Sequence, residues 1–235
     1  MLKARIFAVR SMRLFARFSV VLLGVALWGQ QKPHPSLAPV EDTPNLPRVL
    51  LIGDSISMGY TIPVRTMLKG VANVHRIPEN AAFTGYGVKN LDSWLSPGNW
   101  DVVHFNFGLH DVKRMADGKQ QVSLADYEQN LRAIVARLKK TGAKLIFATT
   151  TPVPEGKVSP PRIPADVPEY NAVAVRVMKE YGVAVTDLYS FALPRAAAIQ
   201  TPVNVHYTDK GYEELAGEVV RGIRAALRAA PPRTF

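Results

Sequence analysis

The chain has 235 residues, 47% hydrophobic and 9% aromatic, with no cysteine, which excludes a disordered or disulfide-framed protein and fits one large globular domain. A net charge of +10 invites a nucleic-acid reading, but Lys3, Arg5, Arg10, Arg13 and Arg17 lie within the first 30 residues, which contain no acid. Setting those five aside leaves 24 basic against 19 acidic residues with no basic run, the balance of a solvated surface, and nucleic acid is set aside as a partner.

Residues 1–29 read as a signal peptide or an N-terminal membrane anchor. The basic stretch to Arg17 is followed by an apolar run from Phe18 to Trp28. A run of about 11 residues falls within the roughly 7–15 of a signal-peptide core and short of the roughly 20 that cross a bilayer. The expected location is therefore outside the cytoplasm: periplasmic, secreted or anchored by the N-terminus. Residues 30–47 contain Pro33, Pro35, Pro39, Pro44 and Pro47, the composition of an extended linker. The folded domain is expected over 48–230.

Within it, apolar strands are predicted at 48–53, 74–77, 101–107, 143–150 and 183–188. Helices are predicted around 62–69, 87–95, 123–140, 168–181 and 208–229. Ser123 and Thr208 are N-cap residues, and Leu215, Val219, Val220, Ile223 and Leu227 form the apolar stripe of the last helix. Alternation of helices with strands this apolar predicts an α/β protein whose five-stranded parallel sheet carries helices on both faces. The loop 151–167 holds five prolines and is placed to frame a pocket.

Ligands of open parallel sheets bind where the strands end. Polar clusters stand at three such places: Gly53-Asp54-Ser55, Gly108-Leu109-His110-Asp111, and Asn204-Val205-His206 before the last helix. A serine hydroxyl attacks an acyl carbon only when a base takes its proton, and Ser55 and His206 supply those two groups. Singly, each has a plainer reading, Ser55 as a turn or cap serine and His206 as a surface histidine. Their joint placement at strand ends favours chemistry.

"IGDS", "GLHD" and "VHYTDKGYEELA" together resemble the SGNH or GDSL family of serine hydrolases over residues 48–228. The resemblance implies a flavodoxin-like three-layer sandwich. It also implies Ser55 as nucleophile and backbone oxyanion donor, and His206 as base. In the second motif it puts Ala82 at a donor-glycine position, with Gly85 and Gly87 as rivals. In the third it puts His110 where an asparagine donor is expected. Asp54, Gly108, Asp111 and Asn204 stand beside these as supporting residues. Val203 occupies the place of the usual aspartate, which reduces a triad to a dyad. The second ring nitrogen of His206 is then expected to find a main-chain carbonyl of the 200–204 loop, ahead of the Asn204 side chain, and Val203→Asp is expected to raise turnover if the loop keeps the family's geometry.

Other polar residues receive structural readings: His104 and Asn106 as satisfied interior groups, Asp187 as a cap. Asp54, His110, Asp111 and His206 lack the close spacing of metal ligands, and no metal or cofactor is called for. The expected activity is hydrolysis of a carbohydrate or related small ester through a Ser55–His206 dyad and an acyl-enzyme. A catalytically silent glycan-binding module and an acyltransferase are the alternatives. Oligomeric state is not legible.

Overall fold

The computed structural model describes residues 34–96 and 98–229. The signal or anchor segment expected over 1–29 lies outside the described residues. Among them, no helix is long and apolar enough to cross a membrane.

Five strands form one parallel sheet: β1 (Arg48–Ile52), β2 (Asn73–Arg76), β3 (Val102–Phe105), β4 (Lys144–Ala148) and β5 (Ala184–Thr186), in the order β2-β1-β3-β4-β5. Val49 to Ile52 and all of β3 are buried, which is why these strands are apolar without alternation. Around them run α1 (Ser55–Met67), α2 (Thr84–Leu95), α3 (Leu124–Lys139), α4 (Asp166–Tyr181), α5 (Leu188–Ala192), α6 (Ala196–Ile199) and α7 (Asp209–Arg228). α1 packs on α7, while α3 packs on both α2 and α4, so two helical layers enclose the sheet in the expected flavodoxin-like α/β sandwich.

β1 lies between β2 and β3, so the strand order reverses beside it. Ile52 pairs with Phe105, and the Asn106 N–H donates to Ile52 O at 3.0 Å, which levels the exits of β1 and β3. Here the residues that follow each strand meet.

Three expectations change. α1 begins at Ser55 instead of near residue 62. The Asp54 carboxylate caps it by accepting the Ile56 N–H at 2.9 Å, and Gly59 and Pro63 both lie inside the helix. Gly59 is needed there because a Cβ would lie 2.1 Å from the Tyr212 ring of α7. Residues 34–47 are no free linker: Thr43 and Asn73 exchange two hydrogen bonds of 2.9 Å, and Asp42 pairs with Arg48 and His75. Proline-rich chain can still dock when its polar groups find partners on the domain. Finally, β5 stops at Thr186 because Asp187 caps α5, accepting the Ser190 N–H at 3.0 Å.

Candidate active site

Ser55 is the first residue of α1, where backbone N–H groups have no partner within the helix and the helix dipole is positive. The turn that presents it is fixed from beneath by Arg76, at the end of β2. Its guanidinium donates to Gly53 O at 2.7 Å, to Asp54 O at 3.3 Å and to Ser57 Oγ. Burial lowers the Arg76 pKa to about 10, since desolvation disfavours the cation. Gly53 is required because a Cβ would lie 2.7 Å from Ser57 Cβ.

His206 arrives from the loop before α7. Gln200 and Tyr207 bridge the base of that loop, Thr201 N–H donates to His206 O at 3.0 Å, and Asn204 N–H donates to Thr201 O at 3.1 Å. The closed loop sets His206 Nε2 2.9 Å from Ser55 Oγ, although 151 positions separate the two residues. His206 Nδ1 lies 2.8 Å from Asn204 Oδ1, and the same oxygen accepts the His206 backbone N–H at 3.0 Å.

The expected main-chain carbonyl is thus replaced by the Asn204 side chain, which turns back on residue 206 as asparagine does in an Asx-turn. The backbone N–H can only donate, so the atom it meets is the amide oxygen. Nδ1 therefore carries the proton, and Nε2 turns a lone pair to the Ser55 hydroxyl. Burial lowers the His206 pKa below its ordinary value; Asp54 opposes this, and the Arg162 cation adds to it. Val203 stands apart: its backbone is left-handed at φ 52° and the residue is 52% exposed. The family geometry assumed for Val203→Asp is therefore absent, because Asn204 occupies Nδ1.

The second-motif residues take a different arrangement from the expected one. Ala82 adopts φ 51°, a conformation glycine reaches without cost, but its N–H already donates to Asn80 Oδ1 at 2.8 Å. The rivals Gly85 and Gly87 lie within α2, and the Gly87 N–H donates to Phe83 O at 3.0 Å. Neither Ala82 nor Gly87 therefore holds a free donor in this structure.

After β3, Gly108 at φ 140° lets the chain pass Thr150, whose Oγ1 would lie 2.1 Å from a Cβ. His110 follows, with Nδ1 2.8 Å from Lys113 Nζ. Its pKa falls to about 4, first through burial and then through Lys113, Arg162 and His206, against the pull of Asp54. Asp111 serves packing: it is fully buried, and its Oδ1 accepts the Thr84 N–H at 2.9 Å and the Thr84 hydroxyl at 2.5 Å, capping α2 from outside. Desolvation raises its pKa to about 6.

Asn106 is satisfied, donating to Ala148 O at 3.1 Å. His104 is fully buried, and neither ring nitrogen has a protein partner among the described residues, contrary to expectation. Lys113, Arg162 and Arg76 were not singled out from sequence. The only available signal was the three-residue spacing that places Lys113 one turn beyond His110. Among the described residues, no three His, Cys, Asp or Glu side chains converge as metal ligands do. A pocket of about 610 Å³, walled by Val153, Tyr189, Leu193 and Pro202, borders the loop that carries His206.

The fold has several solved counterparts. A lipase/acylhydrolase from Enterococcus faecalis superposes with TM-score 0.67 at 22% identity, covering 80% of this chain and 100% of that one. An acetyl xylan esterase, AlAXEase, gives 0.65 at 19%, covering 75% and 99%. Axe2, an acetylxylan esterase from Geobacillus stearothermophilus, gives 0.61 at 20%, covering 75% and 94%. No curated protein matches the chain. Residues 51–214 match the GDSL-like lipase/acylhydrolase family, a span that takes in both Ser55 and His206. The chain belongs to that family, and by that membership it is a serine hydrolase of carboxylic esters.

Proposed function

We propose that the protein is an exported esterase that removes a small acyl group, acetate foremost, from a carbohydrate through a Ser55–His206 dyad. The observation that carries this reading is the hydrogen-bond chain Ser55 Oγ–His206 Nε2–His206 Nδ1–Asn204 Oδ1. Its polarity is that of a general base aimed at a hydroxyl. His206 takes the Ser55 proton as Oγ attacks the acyl carbon, then returns it to the leaving alcohol. Water repeats the sequence on the acyl-enzyme.

The oxyanion that forms in each step needs donors already in place. The Ser55 N–H, at the positive end of α1, is one, and His110 is the second. Ala82 joins them only if Asn80 releases its N–H.

Acetyl xylan esterases among the similar structures support the acetylated carbohydrate. Export rests on the basic and apolar halves of residues 1–28. The test is hydrolysis of a chromogenic acetate ester and of acetylated xylan by the natural chain and by Ser55→Ala. Turnover that falls to background in a folded variant is expected, and a variant that keeps most of its turnover overturns the reading.

A further inference from the structure

His110 and Lys113 meet across one turn at the exit of β3. The Val112 N–H donates to Gly108 O at 3.0 Å and the Lys113 N–H to His110 O at 3.3 Å, so the chain folds back on itself. The turn is held from both sides: Arg162 Nε donates to Leu109 O at 2.7 Å, and Asp111 is locked on Thr84. Lys113 Nζ thereby comes within 2.8 Å of His110 Nδ1. The polar contact of Lys113 is with a histidine.

An ammonium offers three donors and no acceptor. The ring atom it meets must therefore be an acceptor, which an imidazolium does not possess. Nδ1 is bare, the ring is neutral, and its proton sits on Nε2, which has no protein partner among the described residues. An asparagine at this place would carry donors by its constitution. A neutral histidine donates from one nitrogen only, and something must decide which.

We propose that Lys113 is a positioning residue whose ammonium fixes His110 as the neutral Nε2–H tautomer, so that a histidine can serve as an oxyanion donor. The inference rests on the reading of His110 given under the proposed function. The charged and titratable groups around the His110 ring are Lys113, Arg162, His206 and Asp54, and the three cationic or cation-forming ones all act against its protonation. Burial also presses the Lys113 pKa down, as does Arg162, while Asp54 and Asp111 raise it.

The informative substitution is Lys113→Glu, which exchanges a donor for an acceptor. Nδ1 must then carry a proton, and Nε2 keeps one only while the ring is an imidazolium. Turnover of a chromogenic acetate ester by the full chain should acquire a descending alkaline limb and fall there by about 10²-fold, the loss typical of one oxyanion donor. KM should change little. Lys113→Arg, which keeps the donor, should retain the parent profile. Adding His110→Asn to Lys113→Glu should abolish the new limb, because a carboxamide needs no tautomer fixed.

Nitrogen-15 NMR of histidine-labelled protein reads the tautomer directly and should report His110 protonated at Nε2 in the parent. A parent ring protonated at Nδ1 overturns the proposal. So does a Lys113→Glu loss that is equal at every pH and undiminished in the His110→Asn background. Should Ser55→Ala retain activity, the esterase reading fails while the NMR result still decides the role of Lys113.

Discussion

Asn204 Oδ1 accepts two hydrogen bonds from His206, one from its backbone at 3.0 Å and one from its ring at 2.8 Å. One amide oxygen thus fixes both the turn and the tautomer of the imidazole. It does so without the negative charge that an aspartate would bring to the imidazolium, and it does so at an exposed position.

Exposure sets the magnitude expected for Asn204. In a serine protease, an amide that enforced the wrong tautomer cost about 10⁴ in turnover. Here the tautomer is right, and water can replace the acceptor when the side chain is lost. Asn204→Ala should therefore lower kcat only about tenfold, less than the roughly 10²–10⁴ that the general base itself contributes. Equal damage from Asn204→Ala and His206→Ala would show that the amide does more than orient.

Asn204→Asp should do what Val203→Asp was expected to do, by placing a carboxylate on Nδ1. Burial holds the His206 pKa below its ordinary value, so the parent should reach full activity with its acid limb below that of a free histidine. The carboxylate favours the imidazolium, so it should raise kcat and move that limb to higher pH. Rate profiles of both variants check this, and Val203→Asp should leave the limb in place.

His110→Ala should lower turnover by about 10²–10³, the loss of one donor, while His110→Asn should recover much of it. Steady-state kinetics on one acetate ester suffice. Equal rates in all three proteins would place His110 outside the chemistry.

His104 offers a stability test. Burial presses its pKa down to about 4, whereas the unfolded chain titrates near the ordinary 6.5. Between those values the unfolded state binds a proton that the folded state refuses, so its contribution is whole above pH 6.5 and is lost as pH falls toward 4. His104→Leu removes that loss together with two unpartnered ring nitrogens. It should stabilise the protein by about 1–3 kcal/mol at neutral pH and by more in acid. Denaturant unfolding at pH 7 and pH 5 reads the difference. Comparing variant with parent isolates it from Asp111, whose raised pKa acts in the opposite sense over part of the same window.

Gly108→Ala should be among the most damaging single-methyl changes. It forces a side chain onto φ 140° and puts a Cβ 2.1 Å from Thr150 Oγ1, a group that itself donates to Phe107 O at 3.1 Å. A loss of about 1–3 kcal/mol is expected, the usual cost of overpacking, and more if the Thr150 bond breaks. Thermal unfolding measures it.

The strands were legible because burial on both faces demands uninterrupted apolar runs, and β1 and β3 have them. The later helices were legible because one buried stripe at helical spacing, as in α3 and α7, leaves a clear period. The start of α1 was not, because Gly59 and Pro63 are breakers by local rule, and only the Tyr212 ring on a distant helix shows why a glycine must sit there. Ser55 and His206 could be picked out as chemical types at strand and loop ends. Their 2.9 Å separation depends on a loop cinched between Gln200 and Tyr207, a contact that no local pattern encodes. The same limit hid the partners of the site residues. Which atom orients His206, which group occupies the Ala82 N–H and which cation holds His110 are matters of hydrogen-bond reach over a few ångströms. Sequence alone determined the layered fold and the candidate reacting groups, since burial and chemistry act through residue type. Tertiary structure decided tautomers and donors, since those turn on where one side chain ends relative to another.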